Sequence, residues 1–375
     1  MIPAGQFKAG LDGIVVAQTA ISEVDGEHGR LTYRGYLIGE IAQKATFEEV
    51  AHLLWVGHMP TQDELSALKT KLVSQRALPE AVTALITALP TDADPMDVLR
   101  SAISAYGAFT KIGGKATLDQ AIALTAIFPV VMAAFHRNRT GQPVIAPRND
   151  LDHAANYLYM LTGQVPEAHH IRSMNTYLNM VADHGMNAST FAARVISSTE
   201  SDLCSSITGA IGALKGPLHG GAPALVLKMF QGIGTSDNVE PWINNTLNSG
   251  GRLMGLGHRV YKTFDPRAEI LREVAREAAS PEMFALAEKT ERAALDELHR
   301  RKPNERLWTN VDFYSAVLLQ AVGLPGDLFP ATFGIGRVAG WTAHVLEQAP
   351  KNRLMRPESE YTGPHNLTYL PIEQR

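Results

Sequence analysis

Two histidines stand beside glycine in sequence that is otherwise helical, and imidazole suits proton transfer or hydrogen bonding to a small substrate. His184 precedes Gly185, a residue suited to a helix end, and the C-terminal helix dipole favours a charged imidazole there. His219, in GPLHGGA, precedes a predicted helix start, where the dipole favours a neutral imidazole. A neutral imidazole can donate a hydrogen bond to a developing enolate. The structural alternatives are a His184 that only caps carbonyls and glycines that only start a helix.

A second group of reactive residue types lies in GGRLMGLGHRVYKTFDPRAEIL, from Gly250 to Leu271. Its cations stand among glycines that permit close backbone approach, in a chain whose net charge is −4. This pattern predicts a polyanionic ligand, and the alternative is a solvated basic face. The cations are Arg252, His258, Arg259, Lys262 and Arg267.

Asp312 is placed in the first turn of the apolar helix predicted from NVDFYSAVLLQAVG. Phe313 and Tyr314 flank it and could desolvate the carboxylate, which raises its basicity, whereas the helix dipole opposes that change. The sequence leaves the sign of the sum open, and most aspartates in this position are simple caps.

Arg337 shares one face of a predicted helix with Trp341 and His344. The same segment, Gly334 to Ala339, superficially matches a dinucleotide fingerprint, but the sequence before it predicts no strand, so we reject that match. The chain lacks a His-Glu-x-x-His, a cysteine cluster, a Walker loop and a Gly-x-Ser-x-Gly elbow. We therefore expect no bound metal and no nucleotide or serine-esterase chemistry.

The elements that must position these residues are predicted to be almost all helical. Helix-start signals recur along the chain, as in the capping boxes Thr46 with Glu49 and Thr61 with Glu64. Strand patterns are confined to GIVVAQTAISEV and RLTYRG, which flank a plausible turn and predict a short N-terminal β-hairpin. The apolar run from Ala121 to Phe135 is too short for a bilayer and predicts a buried core helix.

Composition adds an expectation about assembly. Hydrophobic residues make up 45% of the 375 residues and charged residues only 19%, against roughly 25% in an average soluble domain. A chain that buries surface against a copy of itself needs less charge, so we expect an oligomer, with one bulky monomer as the alternative. The single cysteine, Cys204, and the lack of a signal sequence predict a soluble, cytoplasmic protein with neither nucleic-acid nor membrane partners.

Taken together, these segments resemble the citrate synthase family. The motifs GPLHGGA, GLGHRVYKTFDPR and NVDFYS occur in that order, followed by RVAGWTAH and RPESEYTGP. The resemblance implies an all-α fold with a large helical domain, residues 1–219 and 325–375, and an inserted small domain, residues 220–324, that carries CoA-binding and catalytic residues. It further implies a homodimer, and the short N-terminus favours a plain dimer.

The activity that the resemblance implies is condensation of acetyl-CoA with oxaloacetate, followed by hydrolysis to citrate and CoA, with no permanently bound cofactor. By this resemblance Asp312 removes the methyl proton, His219 stabilises the enolate with support from Ser189, and His258 donates to the oxaloacetate carbonyl. The substrate carboxylates are held by His184, Arg267, Arg337 and Arg356, the last supplied by the partner subunit. CoA is met by Arg252, Leu253, Met254, Gly255, Leu256, Gly257 and Lys262.

Two alternatives stay open at this point. A 2-methylcitrate synthase shares every residue named above and accepts propionyl-CoA, and one methyl group is worth only about 1–3 kcal/mol in a pocket. A non-catalytic helical scaffold that binds CoA is the more distant alternative, against which the set Asp312, His219 and His258 argues.

Overall fold

A computed structural model describes residues 8–11, 13–257, 261, 263–305 and 307–375. The described residues form sixteen α-helices and one small sheet, which confirms the predicted all-α class. The helices are α1 (Ile38–Ile41), α2 (Phe47–Val56), α3 (Gln62–Ser74), α4 (Glu80–Ala88), α5 (Pro95–Thr110), α6 (Leu118–Arg139), α7 (His153–Thr162), α8 (Ala168–Val181), α9 (Ala188–Ser198), α10 (Leu203–Lys215), α11 (Ala222–Ile233), α12 (Val239–Asn248), α13 (Pro266–Ala278), α14 (Pro281–Arg301), α15 (Val311–Ala321) and α16 (Phe329–Gln348).

The predicted N-terminal hairpin is present, with a third short strand beside it. Strands β1 (Ser22–Asp25) and β2 (Arg30–Tyr33) pair antiparallel, and β3 (Tyr36–Leu37) pairs with β2. β1 is shorter than the apolar pattern predicts, because only Ser22–Asp25 finds a partner strand. The preceding residues, including Ile14 and Val16, instead line a cavity described below.

Side chains at the helix starts explain why the helices begin where they do. Thr46 with Glu49 and Thr61 with Glu64 form the predicted capping boxes, in which each side chain satisfies a free backbone N–H group. Asn310 caps α15, because its Oδ1 accepts a hydrogen bond from the Asp312 N–H at 3.0 Å. This cap fixes the first turn of the helix that carries Asp312.

Two long helices, α6 and α16, form the centre of the core. α6 is long and apolar enough to cross a membrane, but 83% of its most apolar window is buried inside the protein, as a core helix requires. In α16 two glycines serve close packing, and one of them, Gly336, belongs to the rejected dinucleotide match. A Cβ on Gly336 would lie 2.6 Å from Val181 Cγ2, and one on Gly340 would lie 2.2 Å from the Ala182 carbonyl oxygen. The end of α8 can therefore press against α16 and bring His184 towards Arg337.

Candidate active site

A cavity of about 760 Å³ gathers five of the predicted site side chains, which are far apart in the sequence. They come from the turn after α8, the segment before α11, the start of α13, the start of α15 and the middle of α16. The cavity therefore unites residues from the two predicted domains. The predicted side chains in its wall are His184, His219, Arg267, Asp312 and Arg337.

Asp312 lies in the cavity wall with its side chain partly buried. Burial raises the pKa of its carboxyl from 3.8 to about 6, the Asp265 charge adds to this rise, and the Arg267 charge opposes it. Among the described residues none donates a hydrogen bond to this carboxylate. The question that the sequence left open is thus answered in favour of desolvation, and the carboxylate is a stronger base than a surface aspartate.

His219 is neutral at ordinary pH. Burial lowers its pKa to about 4, and the charge of Arg337 lowers it further in the same direction. The sequence predicted a neutral imidazole from the start of α11, whereas the larger physical cause in the structure is the loss of water around the ring. A neutral ring in a cation-lined cavity can donate a hydrogen bond without carrying charge.

Ser189 supports His219 from the first turn of α9. Its Oγ lies 2.8 Å from His219 Nε2 and 2.7 Å from Asn187 Oδ1, and it accepts a hydrogen bond from Trp341 Nε1 at 3.0 Å. A hydroxyl has one proton, so it can donate to His219 or to Asn187 but not to both. When it donates to His219 Nε2, the neutral ring carries its own proton on Nδ1, and this N–H is free to serve a substrate.

His184 follows the end of α8 by three residues, and its Nε2 lies 3.2 Å from the Tyr261 hydroxyl. The next residue, Gly185, has φ +58°, a left-handed conformation that glycine adopts without strain. The Tyr261 contact could not be predicted from the sequence, because 77 residues separate the two.

The buried cation Arg267 is held by a carboxylate that sequence reasoning missed. Arg267 Nε and Nη2 donate to the two oxygens of Asp265 at 3.0 and 2.9 Å, and both residues are about 2% exposed. Asp265 also accepts from the Val311 N–H at 3.1 Å, one residue before Asp312. Asp265 therefore joins the arginine to the helix that carries the base. The Asp-Pro-Arg sequence could have suggested it, since an aspartate before proline is a helix cap.

Arg337 is fully buried in α16, yet one end of its guanidinium has no hydrogen-bond partner among the described residues. Nε donates to the Val181 carbonyl at 2.5 Å, and the group lies 4.6 Å from the centre of the Phe333 ring, whereas Nη1 is buried and donates to none of the described residues. Burial lowers the arginine pKa to about 10, so the group stays charged at neutral pH. A buried donor beside a cavity is costly unless an acceptor arrives, and a substrate carboxylate would supply one.

The predicted CoA segment forms a loop fastened to the approach of α15. Leu256 forms an isolated bridge with Thr309, Gly257 N donates to the Trp308 carbonyl at 2.7 Å, and Asn310 N donates to the Gly255 carbonyl at 3.0 Å. Gly255 has φ +78°, and a Cβ there would lie 2.9 Å from Phe313 Cβ. Gly257 reaches the cavity, Leu253 is buried, Met254 is half-buried and Arg252 is exposed.

Among the described residues, the predicted substrate-binding residue Arg356 does not line this cavity. Arg356 is exposed in the C-terminal segment, whose neighbouring Met355 N–H donates to Ser198 Oγ at 3.0 Å. His258 and Lys262 lie outside the described residues. The cavity as described is thus assembled without the residue that was predicted to come from a partner subunit.

Comparison with known proteins places the chain in one family. The family model described as "Citrate synthase, C-terminal domain" matches residues 10–358. A citrate synthase from Haloferax volcanii is 41% identical, with 99% of this chain and 100% of the relative covered. A 2-methylcitrate synthase from Corynebacterium glutamicum is 40% identical, with 98% of each covered. A solved ternary complex of citrate synthase from Thermoplasma acidophilum with carboxymethyl-coenzyme A and oxaloacetate is 33% identical, with TM-score 0.90 and 98% of each chain covered. This chain belongs to the citrate synthase family, a family of enzymes that transfer acyl groups.

Proposed function

We propose that this protein condenses acetyl-CoA with oxaloacetate and hydrolyses the resulting citryl thioester to citrate and CoA. The observation that carries this proposal is the pairing, in one cavity, of a carboxylate with a raised pKa and a neutral imidazole, beside two buried arginines. A base and a neutral donor suit enolate formation, and the arginines suit a dianionic co-substrate. The reaction needs no permanently bound cofactor, since acetyl-CoA is itself a substrate.

In this proposal Asp312 removes a proton from the methyl group of acetyl-CoA. The electrons of the broken C–H bond move towards the thioester oxygen, where His219 Nδ1–H donates a hydrogen bond. Ser189 would support that tautomer by donating to Nε2, which lies 2.8 Å from its Oγ. Desolvation assists both groups, because it makes the carboxylate more basic and keeps the imidazole uncharged.

Oxaloacetate is proposed to bind through its two carboxylates. Arg337 would offer its Nη1, which donates to no described residue, and Arg267 would bind while Asp265 accepts from its Nε and Nη2. His184 would complete the set within the chain, and His258 would donate to the ketone oxygen as it becomes an alkoxide. Planar guanidinium groups hold carboxylates in two-pronged geometry better than ammonium groups do.

We further propose that residues 220–324 act as a small domain that closes on residues 1–219 and 325–375. The cavity is lined from both parts, so closure would exclude water from the enolate. The CoA adenine would meet the backbone of residues 252–257, and Lys262 would lie near the phosphates. The relative from Thermoplasma acidophilum, solved with a CoA analogue and oxaloacetate, supports this pair of ligands.

A homodimer is proposed because the exposed C-terminal segment carries both Arg356 and many apolar side chains. Three of these side chains are largely exposed, namely Leu367 (77%), Tyr369 (78%) and Ile372 (69%). A monomer is not expected to expose such a group of large apolar side chains to water. A partner subunit would cover them and receive Arg356 at its own oxaloacetate site. The buried, unpaired thiol of Cys204 fits a reducing compartment, which supports a cytoplasmic enzyme.

The test is release of free thiol from acetyl-CoA, followed with a thiol reagent, with and without oxaloacetate. We expect release only when oxaloacetate is present. A protein that binds CoA but releases no thiol would be the scaffold of the alternative hypothesis, and the proposal would be wrong.

The same assay with propionyl-CoA addresses the second candidate, which the 40% identical 2-methylcitrate synthase favours. We expect kcat/KM to be higher for acetyl-CoA. A higher kcat/KM for propionyl-CoA would assign the chain to 2-methylcitrate formation and leave the roles of Asp312 and His219 unchanged.

A further inference from the structure

A fully buried carboxylate, Asp183, lies directly behind the turn that carries His184. Its Oδ2 accepts hydrogen bonds from the Gly185 N–H at 2.9 Å and from the Ser22 hydroxyl. Its backbone N–H donates to the Tyr33 hydroxyl at 3.0 Å, and that hydroxyl donates to the Asp183 carbonyl at 2.8 Å. Ser22 and Tyr33 are register partners in β1 and β2. The N-terminal sheet thus holds this turn at two points, the Asp183 side chain through Ser22 and the Asp183 backbone through Tyr33.

A second contact fixes the same carboxylate from α16. His344 Nε2 lies 3.2 and 3.4 Å from the two oxygens of Asp183, and its Nδ1 accepts from Arg194 Nε at 3.2 Å. Arg194 also donates to Glu347. An arginine can only donate, so Nδ1 of His344 must accept and the ring proton must sit on Nε2, from which it is donated to Asp183. Arg194 therefore sets the tautomer that orients the carboxylate.

We propose that Asp183 is a positioning residue for His184, acting with His344 and Ser22, and this proposal rests on the role of His184 in oxaloacetate binding proposed above. Gly185, directly after His184, is left-handed, so the turn is a sharp one that the Asp183 contacts hold in a single conformation. Without them, binding would have to order the turn, and affinity for oxaloacetate would fall. His184 is proposed to bind oxaloacetate equally in the ground state and in the transition state. Loss of its positioning should therefore raise the oxaloacetate KM and leave kcat unchanged.

Asp183→Asn is the first variant to measure. We expect the Kd of oxaloacetate by titration calorimetry, and its KM, to rise about 10-fold or more, the range found at metal sites when a residue that orients a ligating side chain is removed. The kcat at saturating oxaloacetate and the KM of acetyl-CoA should change little.

His344 supplies a paired test that does not depend on Asp183 variants folding. His344→Leu removes donor and acceptor and should raise the oxaloacetate KM in the same way. His344→Gln should rescue affinity, because an amide can accept from Arg194 and donate to Asp183 at once.

The matched control is Glu48→Gln, at another fully buried carboxylate that accepts a backbone hydrogen bond, from the His153 N–H at 2.7 Å, away from the cavity. It should affect thermal stability without changing the oxaloacetate Kd. The proposal is overturned if Asp183→Asn leaves the oxaloacetate Kd unchanged or lowers kcat alone. It is also overturned if Glu48→Gln raises that Kd equally, or if His344→Gln binds oxaloacetate as weakly as His344→Leu. A wild-type protein without oxaloacetate-dependent thiol release would instead refute the proposed function.

Discussion

Two aspartates near the candidate site, Asp312 and Asp183, have opposite electrostatic surroundings. Asp312 lies in the cavity wall, where burial raises its pKa to about 6. Burial alone would raise the pKa of Asp183 as well, but the hydrogen bonds from His344 and Ser22 and the charge of Arg337 outweigh that effect and lower it. Both groups have lost most of their water, so their neighbours decide the outcome.

The two carboxylates differ in the number of hydrogen bonds that each accepts when it is ionised. Asp183 accepts from Gly185, Ser22 and His344, whereas none of the described residues donates to the Asp312 carboxylate. A carboxylate that several donors stabilise is a poor base, and one without donors is a good base. The arrangement therefore supports the two proposals, proton transfer by Asp312 and structural support by Asp183.

The largest expected effect follows from exchanging the base for its neutral isostere. Asp312→Asn should lower kcat about 10²–10⁴-fold, the usual contribution of a positioned general base, while the oxaloacetate Kd stays the same. Steady-state kinetics and calorimetric titration measure the two quantities. A loss of kcat below tenfold, or a matching loss of oxaloacetate affinity, would mean that Asp312 is not the base and would remove the contrast with Asp183.

Removing the charge of each aspartate should change the free energy of unfolding in opposite directions. The pKa of Asp312 rises from 3.8 to about 6 on folding, so the unfolded chain ionises first. The free energy of unfolding therefore falls as the pH rises from 3.8 to about 6. Asp312→Asn should therefore raise the free energy of unfolding at pH 8 by about 1–3 kcal/mol, a gain that disappears near pH 4.

Asp183→Asn should do the reverse. Its folded-state pKa is lowered, so its stabilising contribution is present above the ordinary aspartate pKa and is lost as the pH falls through the folded value. We expect a deficit of about 1–3 kcal/mol at pH 8, from donors left without their acceptor. Urea unfolding at pH 8 and pH 4 compares both variants with wild type, and changes of the same sign at pH 8 would contradict the assignment.

The fold was predictable from the sequence because its signals are local. Capping boxes at Thr46 and Thr61 and the apolar run within α6 predict helices without reference to the rest of the chain. The extent of β1 was not predictable in the same way. Its length depends on which residues find a partner strand, and the apolar residues before Ser22 face a cavity that only the folded chain creates.

The site was predictable where one motif contains both the residue and its setting, as for Asp312 and His219. Supporting residues escaped prediction where partners are distant in sequence. His344 is 161 residues from Asp183, and Ser22 is separated from it by the same number. The burial of Arg337 Nη1, which has no partner in the part of the chain that the structure describes, also depends on packing, because only the folded core removes water from that atom.

A smaller effect is expected at Ser189, which contacts the second reactive group rather than the base. Ser189→Ala removes the hydroxyl 2.8 Å from His219 Nε2, so the ring loses its preference for the tautomer that presents Nδ1–H. We expect kcat to fall about 10-fold, the value of one hydrogen bond of roughly 1–1.5 kcal/mol, with the oxaloacetate KM unchanged. The control is Ser206→Ala, a fully buried serine in α10 that donates to the Asp202 carbonyl. Equal losses in both variants would argue for a general packing effect.

The smallest expected effect is on the acid limb of the pH profile, the range in which kcat/KM falls as the pH is lowered. The proposed mechanism requires the ionised Asp312 carboxylate, so kcat/KM should fall as the pH drops through about 6. His219 gains a proton only near pH 4, so it does not account for this limb. Asp265 contributes to the raised pKa of Asp312 through its negative charge, while Arg267 lowers it.

Asp265→Asn should therefore move the acid limb to lower pH, by up to about one unit, since it removes a like charge and leaves the Arg267 charge less compensated. The matched control is Glu269→Gln, an exposed carboxylate on the same helix, which should leave the limb in place. A purely structural role for Asp265 would lower kcat/KM at every pH without moving the limb. If the acid limb of kcat/KM moved to higher pH instead, the charges of Asp265 and Arg267 would not set the pKa of Asp312. The contrast between Asp312 and Asp183 would then rest on hydrogen bonding alone.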